Sequence, residues 1–130
     1  MTIDVAHAVD SSSLIAYLEE ASGKDVRILE ELMPASLVLL PPPVIVEVLS
    51  NLHTRHRIEP TLKRLKTLAF KDDFWFRASA LRATLLSKKL KANMANTLIA
   101  QSCIDHGVAL ITRDEDFRHF ATHGGLKLVG

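Results

Sequence analysis

The residues of this chain best suited to chemistry are carboxylates at the ends of short apolar runs. Asp10 follows the β-prone run 5–9, and Arg113, Asp114, Glu115 and Asp116 follow the run 108–111. Glu47 is the odd residue in a third segment, from 44 to about 53. There Ile45, Val48, Leu49 and Leu52 make one side apolar, and Val44 and Val46 widen it almost all round. An ionised carboxylate in such surroundings is costly unless a cation or hydrogen bonds compensate it. Glu47 therefore reads as a ligand or catalytic acid ahead of a salt bridge to Arg55 or Arg57. Asn96 begins the helix before the last of these acids, which aims it at the edge where Asp114 ends a strand. Asn and Asp are about equally good at a helix start, so exchanging them there should shift stability by only roughly a few tenths of a kcal/mol.

The elements that must position these residues alternate in type. Leu98, Ile99, Ser102, Cys103 and His106 share one side at helical spacing, and Gly107 closes their helix. The wholly apolar run 108–111 that follows has the pattern of a strand buried on both faces. Upstream, Ser11, Ser12 and Ser13 read as helix caps, with Leu14, Ile15, Tyr17 and Leu18 as the apolar side of the first helix. A second helix runs from about 24 to 33, where Pro34 stops it. Residues 37–40 form another strand, and Pro41, Pro42 and Pro43 lead into the helix of Glu47. Glu59 and Pro60 start a basic helix through residue 68, and a further helix spans 78 to about 90. Phe70, Phe74, Trp75 and Phe76 between them could stack on bases beside the basic residues, and core is favoured over that. Gly124 and Gly125 turn the chain into an edge strand at 126–129.

Strands alternating with helices make an α/β sandwich around a mainly parallel sheet, as one domain over residues 1–130. Right-handed crossovers start each helix beside the carboxyl end of the preceding strand. Asp10, Glu47, Asn96 and Asp114 should then converge on one edge by topology alone. Carboxylates packed that closely repel, which favours raised pKa values or hard divalent cations with oxygen ligands, Mg²⁺ or Mn²⁺. Such a cluster suits phosphodiester hydrolysis.

Composition narrows the rest. With 130 residues, 48% of them hydrophobic and 24% charged, the chain has enough apolar side chains for a full core. Its apolar stretches hold prolines or are too short to cross a bilayer, and the amino terminus lacks the basic and apolar regions of a secretory signal. The cytoplasm is the expected compartment. Cys103, the single cysteine, cannot form an internal disulfide and lies on an apolar helix face, as a small core residue does. Net charge is +1, yet residues 55–91 hold 11 Lys or Arg against 3 acids, leaving 5 against 12 elsewhere. Solvated helical faces and a patch that steers a polyanion both fit that pattern. His53 with His56, and His119 with His123, lack further ligands for a transition metal and read as surface residues, His119 lying near enough to the acidic edge to contact a phosphate. No GxxxxGK or GxGxxG turn is present, so nucleotide hydrolysis and dinucleotide binding lose their main support.

The segments VDSSSLIAYL, PPPVIVEVLSNL, ANTLIAQSCIDHG and ITRDEDF together resemble the PIN-domain ribonucleases, and within them the VapC-type toxins of prokaryotic toxin-antitoxin pairs. The likeness spans nearly the whole chain, and ITRDEDF is its most specific part. It implies a PIN-like α/β/α sandwich and a Mg²⁺- or Mn²⁺-dependent endoribonuclease acting on RNA. It also implies a small VapB-type antitoxin whose tail crosses the acidic groove, and a homodimer that brings two active edges together. Asp10, Glu47 and Asp114 become metal-binding acids, Asp116 a further ligand or a solvent-facing acid, and Ser11, Thr112 and Arg113 polar neighbours of the site. Amphipathic helices near 24–33 and 59–68 offer apolar surface for the antitoxin tail.

Position 96 departs from the family pattern, with Asn96 where the family carries Asp. Asn keeps a carbonyl oxygen but loses the charge, and its amide donates where a cation needs an acceptor. Because the rest of the set is intact and the change nearly isosteric, a laboratory substitution that silences a toxic nuclease is favoured over a natural loss. The competing class is an interaction protein, a PIN-like domain that binds partner and RNA without chemistry. A receiver-like signalling domain is weaker, since it would want paired acids at the first strand end and a lysine late in the chain.

Overall fold

The protein is described by a computed structural model covering residues 5–129. Five strands form one sheet: β1 (His7–Val9), β2 (Val38–Leu40), β3 (Lys66–Thr67), β4 (Ala109–Ile111) and β5 (Lys127–Leu128). Their order is β3-β2-β1-β4-β5, and every pairing is parallel. The helices among the described residues are α1 (Ser11–Leu18), α2 (Lys24–Leu32), α3 (Pro42–Leu49), α4 (Arg55–Lys63), α5 (Phe74–Ser87), α6 (Met94–His106) and α7 (Arg118–Gly124). A short 3-10 turn spans Glu115–Phe117. None of these helices is long and apolar enough to cross a membrane.

Val9, Leu40, Leu110 and Ile111 from the central strands pack with Leu14, Leu29, Val44, Ile99, Cys103 and Phe117 into one buried cluster. Strands this short and this apolar are stable only when covered on both faces, which is what the alternating helices provide. The chain builds outward from β1 to β2 and β3, then crosses back to lay β4 and β5 on the other side. Strand order therefore reverses between β1 and β4, and such a reversal opens a crevice at the carboxyl ends of the strands. Val9 pairs with Ile111, and the Asp10 N–H donates to the Ile111 carbonyl at 3.1 Å, so Asp10 and Thr112 emerge side by side at that crevice.

Several expected boundaries move, each for a packing reason. The first strand begins at His7, and Val5 lies exposed. α3 starts at Pro42 and buries only Val44 and Val48, one turn apart, leaving Val46 and Glu47 in solvent. It is apolar almost all round, as its residues require, but buried on one side only. The basic helix starts at Arg55 and carries Pro60 inside it, because burying Ile58 together with Leu62 requires a helix that begins before the proline. Beyond it the chain does not stay helical: Lys66 and Thr67 pair with Leu39 and Leu40 as an edge strand. Of the aromatics read as core only Phe74 is buried; Phe70, Trp75 and Phe76 are 40%, 58% and 79% exposed. α5 begins at Phe74 rather than 78, and neighbouring residues of a helix face different ways, so Phe74 turns inward while Trp75 and Phe76 turn out.

Candidate active site

Asp10 leaves β1 with an extended backbone and caps α1, its Oδ1 accepting the Ser13 N–H at 3.1 Å. The acid, not a serine, is the cap. Each of the three serines instead donates to a different carboxylate: Ser11 Oγ to Glu47 at 2.6 Å, Ser12 Oγ to Asp10 at 2.8 Å and Ser13 Oγ to Asp25 at 2.8 Å. Successive helical residues point about 100° apart, which is how three neighbours reach three acids. Across the crevice, Thr112 Oγ1 donates to Asp10 Oδ2 at 2.6 Å and accepts the Asp114 N–H at 3.0 Å. Burial pushes the Asp10 carboxyl above its ordinary value. Hydrogen bonds from Thr112, Ser13 and Ser12 oppose that rise, and the nearby Asp114 charge adds to it.

Asp114 caps the 3-10 turn, Oδ1 accepting the Asp116 N–H at 2.9 Å, and its Oδ2 meets Asn96 Nδ2 at 3.3 Å. Asn96 is buried but does not begin its helix: the cap of α6 is Asn93, whose Oδ1 accepts the Asn96 N–H at 2.7 Å. Position 96 is thus the third helical residue, so the argument that Asn and Asp are equal caps there does not apply.

Glu47 is exposed and held by Ser11, not sheltered in apolar surroundings as the sequence suggested. It makes no salt bridge with Arg55, which donates to the Leu49 carbonyl instead, or with Arg57. Asp116 reaches the site through its backbone N–H. The Arg113 guanidinium turns away from the acids and grips Asp25, with Nε and Nη2 at 2.8 and 2.9 Å, and also reaches the Ser22 carbonyl. That grip holds the Asp25 carboxyl down at about 2. His53, His56 and His123 are exposed, His119 is half-buried on α7, and none is hydrogen-bonded to the acids.

Asp25 and Asn93 were not singled out from sequence. An acid in the first turn of a helix and an Asn just before one are ordinary signals; only the paired placement of Gly23 and Asp25 was a clue. Gly23 has φ +145°, and a Cβ there would lie 2.5 Å from Asp25 Oδ1 and 2.8 Å from Arg113 Nη2. No side chain fits between the two partners.

These oxygens are right in kind for a hard divalent cation but short in charge and number. Among the described residues no three Asp, Glu, His or Cys side chains come together as a cation site. The reason is local: position 96 is neutral and its amide points a donor at Asp114, while Glu47 is turned to Ser11. With Asn96 in place, the residues do not fit the expected metal.

A sequence profile of the PIN domain matches residues 8–122. This chain belongs to the PIN-domain family. PIN domains are typically metal-dependent nucleases. The fold is similar to that of a chain in VapBC2 from Rickettsia felis bound to a promoter DNA fragment, at 19% identity and TM-score 0.74, covering 96% of this chain and 98% of that one. VapBC-1 from nontypeable Haemophilus influenzae gives 17% and 0.73, covering 96% and 97%. A toxin-antitoxin complex from Klebsiella pneumoniae gives 22% and 0.69, with the same coverage. At these identities the likeness is one of fold, and it bears out the PIN-like α/β/α sandwich. No curated protein sequence matches the chain significantly.

Proposed function

We propose that this protein is the toxin of a toxin-antitoxin pair, a cytoplasmic endoribonuclease acting with Mg²⁺ or Mn²⁺, silenced or weakened in this chain by Asn96. The observation that carries the reading is the meeting of Asp10, Asn96 and Asp114 at the strand-order reversal of a PIN domain. Asn96→Asp restores a third acid there, and Asp10, Asp114, Glu47 and Asp116 complete the proposed ligand set. A divalent ion held by these acids in the Asn96→Asp variant would stabilise charge on phosphodiester oxygens and activate a water. The chain's own residues hold the geometry: Thr112 ties Asp10 to the Asp114 backbone, and the serines orient Asp10 and Glu47.

The antitoxin tail takes the cleft beside Glu47. Ile15, Leu18 and Ile58 line its floor, and Glu19 and Glu47 await a cation such as Arg. A second copy of the chain covers the exposed Trp75, Leu86 and Met94 beside the α5/α6 groove. The interaction-protein reading draws on one feature, the Asn96 amide donated into Asp114, which occupies the acids without a metal.

Expression of the Asn96→Asp variant alone should slow growth and yield Mg²⁺-dependent RNA cleavage that EDTA abolishes. Co-expression with the small neighbouring gene should give a stable complex and relieve the toxicity. If the variant cleaves no RNA with either ion and does not slow growth, the nuclease reading fails and the interaction-protein reading replaces it.

A further inference from the structure

Two clefts of opposite charge flank the crevice. On the side of α1, α3 and α4, Glu19 and Glu47 stand against Arg57, leaving a negative excess. On the side of α2 and β4, Lys24 and Arg113 stand against Asp25, leaving a positive one. This second cleft, of about 230 Å³, has Thr112 as part of its wall, and Thr112 is also the residue that bonds Asp10. Ile28, Ile111 and Val129 give it an apolar side.

Within it Asp25 is already saturated: Arg113 engages both carboxylate oxygens, and Ser13 Oγ shares one of them. Lys24 is exposed and has no partner among the described residues, and Arg113 Nη1 likewise has none. The basic segment 55–91 contributes nothing to this cleft. Arg77 of that segment is committed to Asp105, Arg82 to the Ala92 carbonyl and Arg55 to the Leu49 carbonyl. The cations of this cleft therefore come from outside the part of the chain whose composition suggested polyanion binding.

We propose that this cleft is a subsite for the nucleotide adjoining the scissile phosphate of single-stranded RNA. The neighbouring phosphodiester lies on Lys24 and the free edge of Arg113, and its base or ribose lies against Ile28 and Val129. The inference rests on the nuclease reading. A strand whose reacting phosphate sits among Asp10 and Asp114 meets like charge there, and a cation one nucleotide away offsets that repulsion. The opposite cleft, with its acidic excess, repels a phosphate and suits a cationic tail. A helix, roughly 10–12 Å across with its side chains, does not enter a cleft of this size, which favours a nucleotide over a folded partner.

The test uses the full chain with Asn96, so that RNA is bound without being cut. A single-stranded RNA tetranucleotide is titrated by NMR at several salt concentrations, against the parent, Lys24→Gln, and Lys88→Gln as a distant control. Binding should shift the amide signals of Ile28, Thr112 and Val129. Lys24→Gln should weaken binding roughly 5-fold, the scale of one surface ion pair, and lower the slope of log K against log salt by about 0.7. Lys88→Gln should change neither. If the tetranucleotide binds and Lys24→Gln has no effect, the subsite is overturned while the nuclease reading stands. If Lys24→Gln weakens the complex with the co-expressed small partner but not RNA binding, the cleft belongs to that protein and the inference is overturned. If neither the parent nor Asn96→Asp binds RNA at all, the nuclease reading falls and takes the subsite with it.

Discussion

Substituting Asn96→Asp should destabilise the metal-free protein, because the change places a carboxylate where an amide now donates to Asp114 across 3.3 Å. Two unit charges at that separation repel by about 1.3 kcal/mol at the dielectric of water and about 5 kcal/mol at an effective value near 20. Asp114 is half-exposed but position 96 is buried, which sets the cost between the two figures. Position 96 lies in the first turn of α6, where an acid gains about 0.3–1 kcal/mol from the helix dipole. The net loss is therefore roughly 1–4 kcal/mol, a fall in Tm of about 3 °C or more for a domain of this size.

Repulsion raises a carboxyl pKa of the folded pair above its unfolded value. The penalty is then absent below the unfolded value and grows as pH rises through the folded one. Mg²⁺ or Mn²⁺ at about 100 times its Kd should return about 2.7 kcal/mol to the variant and far less to the parent. Thermal melts of both proteins between pH 4 and 8, with EDTA or with divalent ion, read all of this. Equal melting of the two at pH 8 in EDTA, together with an equal response to divalent ion, would refute both the contact and the role of position 96 as a ligand.

Other perturbations bear on the supporting shell. Thr112→Val removes the donor to Asp10 and the acceptor of the Asp114 N–H; it should cost about 1–3 kcal/mol by denaturation and push the Asp10 carboxyl, followed by NMR titration, higher still. Arg113→Gln should let the Asp25 carboxyl rise from about 2 toward 3.8. Because that folded pKa is depressed, the pair's stabilisation of about 1 kcal/mol is present above 3.8 and fades as pH falls through 2, so parent and variant should differ at pH 6 and converge in strong acid. Cys103, fully buried with its thiol pushed up to about 12, should resist thiol reagents until the protein unfolds, which a reagent assay across a urea titration checks.

Asp10, Asp114 and the wholly apolar strands before them were legible in the chain itself. A run such as 108–111 favours burial, complete at Leu110 and Ile111 and partial at Val108 and Ala109, and an acid soon after it falls at the sheet's edge. Parallel topology followed from strands alternating with helices, and with it the convergence of Asp10 on Asp114 across a hundred residues. The sequence leaves the cap of α6 ambiguous because Asn93 and Asn96 are both Asn near a helix start, and only the backbone says which has the extended conformation. Local chemistry favours Pro60 at a helix start, and the burial of Ile58 overrides that preference. The surroundings of Glu47 depended on how far α3 rotates to bury Val44 and Val48, which no residue of α3 specifies alone. The Arg113 to Asp25 pair spans 88 positions and is made by the docking of α2 against the end of β4. Periodicity and residue type thus determined which segments are buried and which acids sit at strand ends. The partner each polar side chain takes was decided by packing between distant elements, since hydrogen bonds act over about 3 Å and the chain does not encode that distance locally.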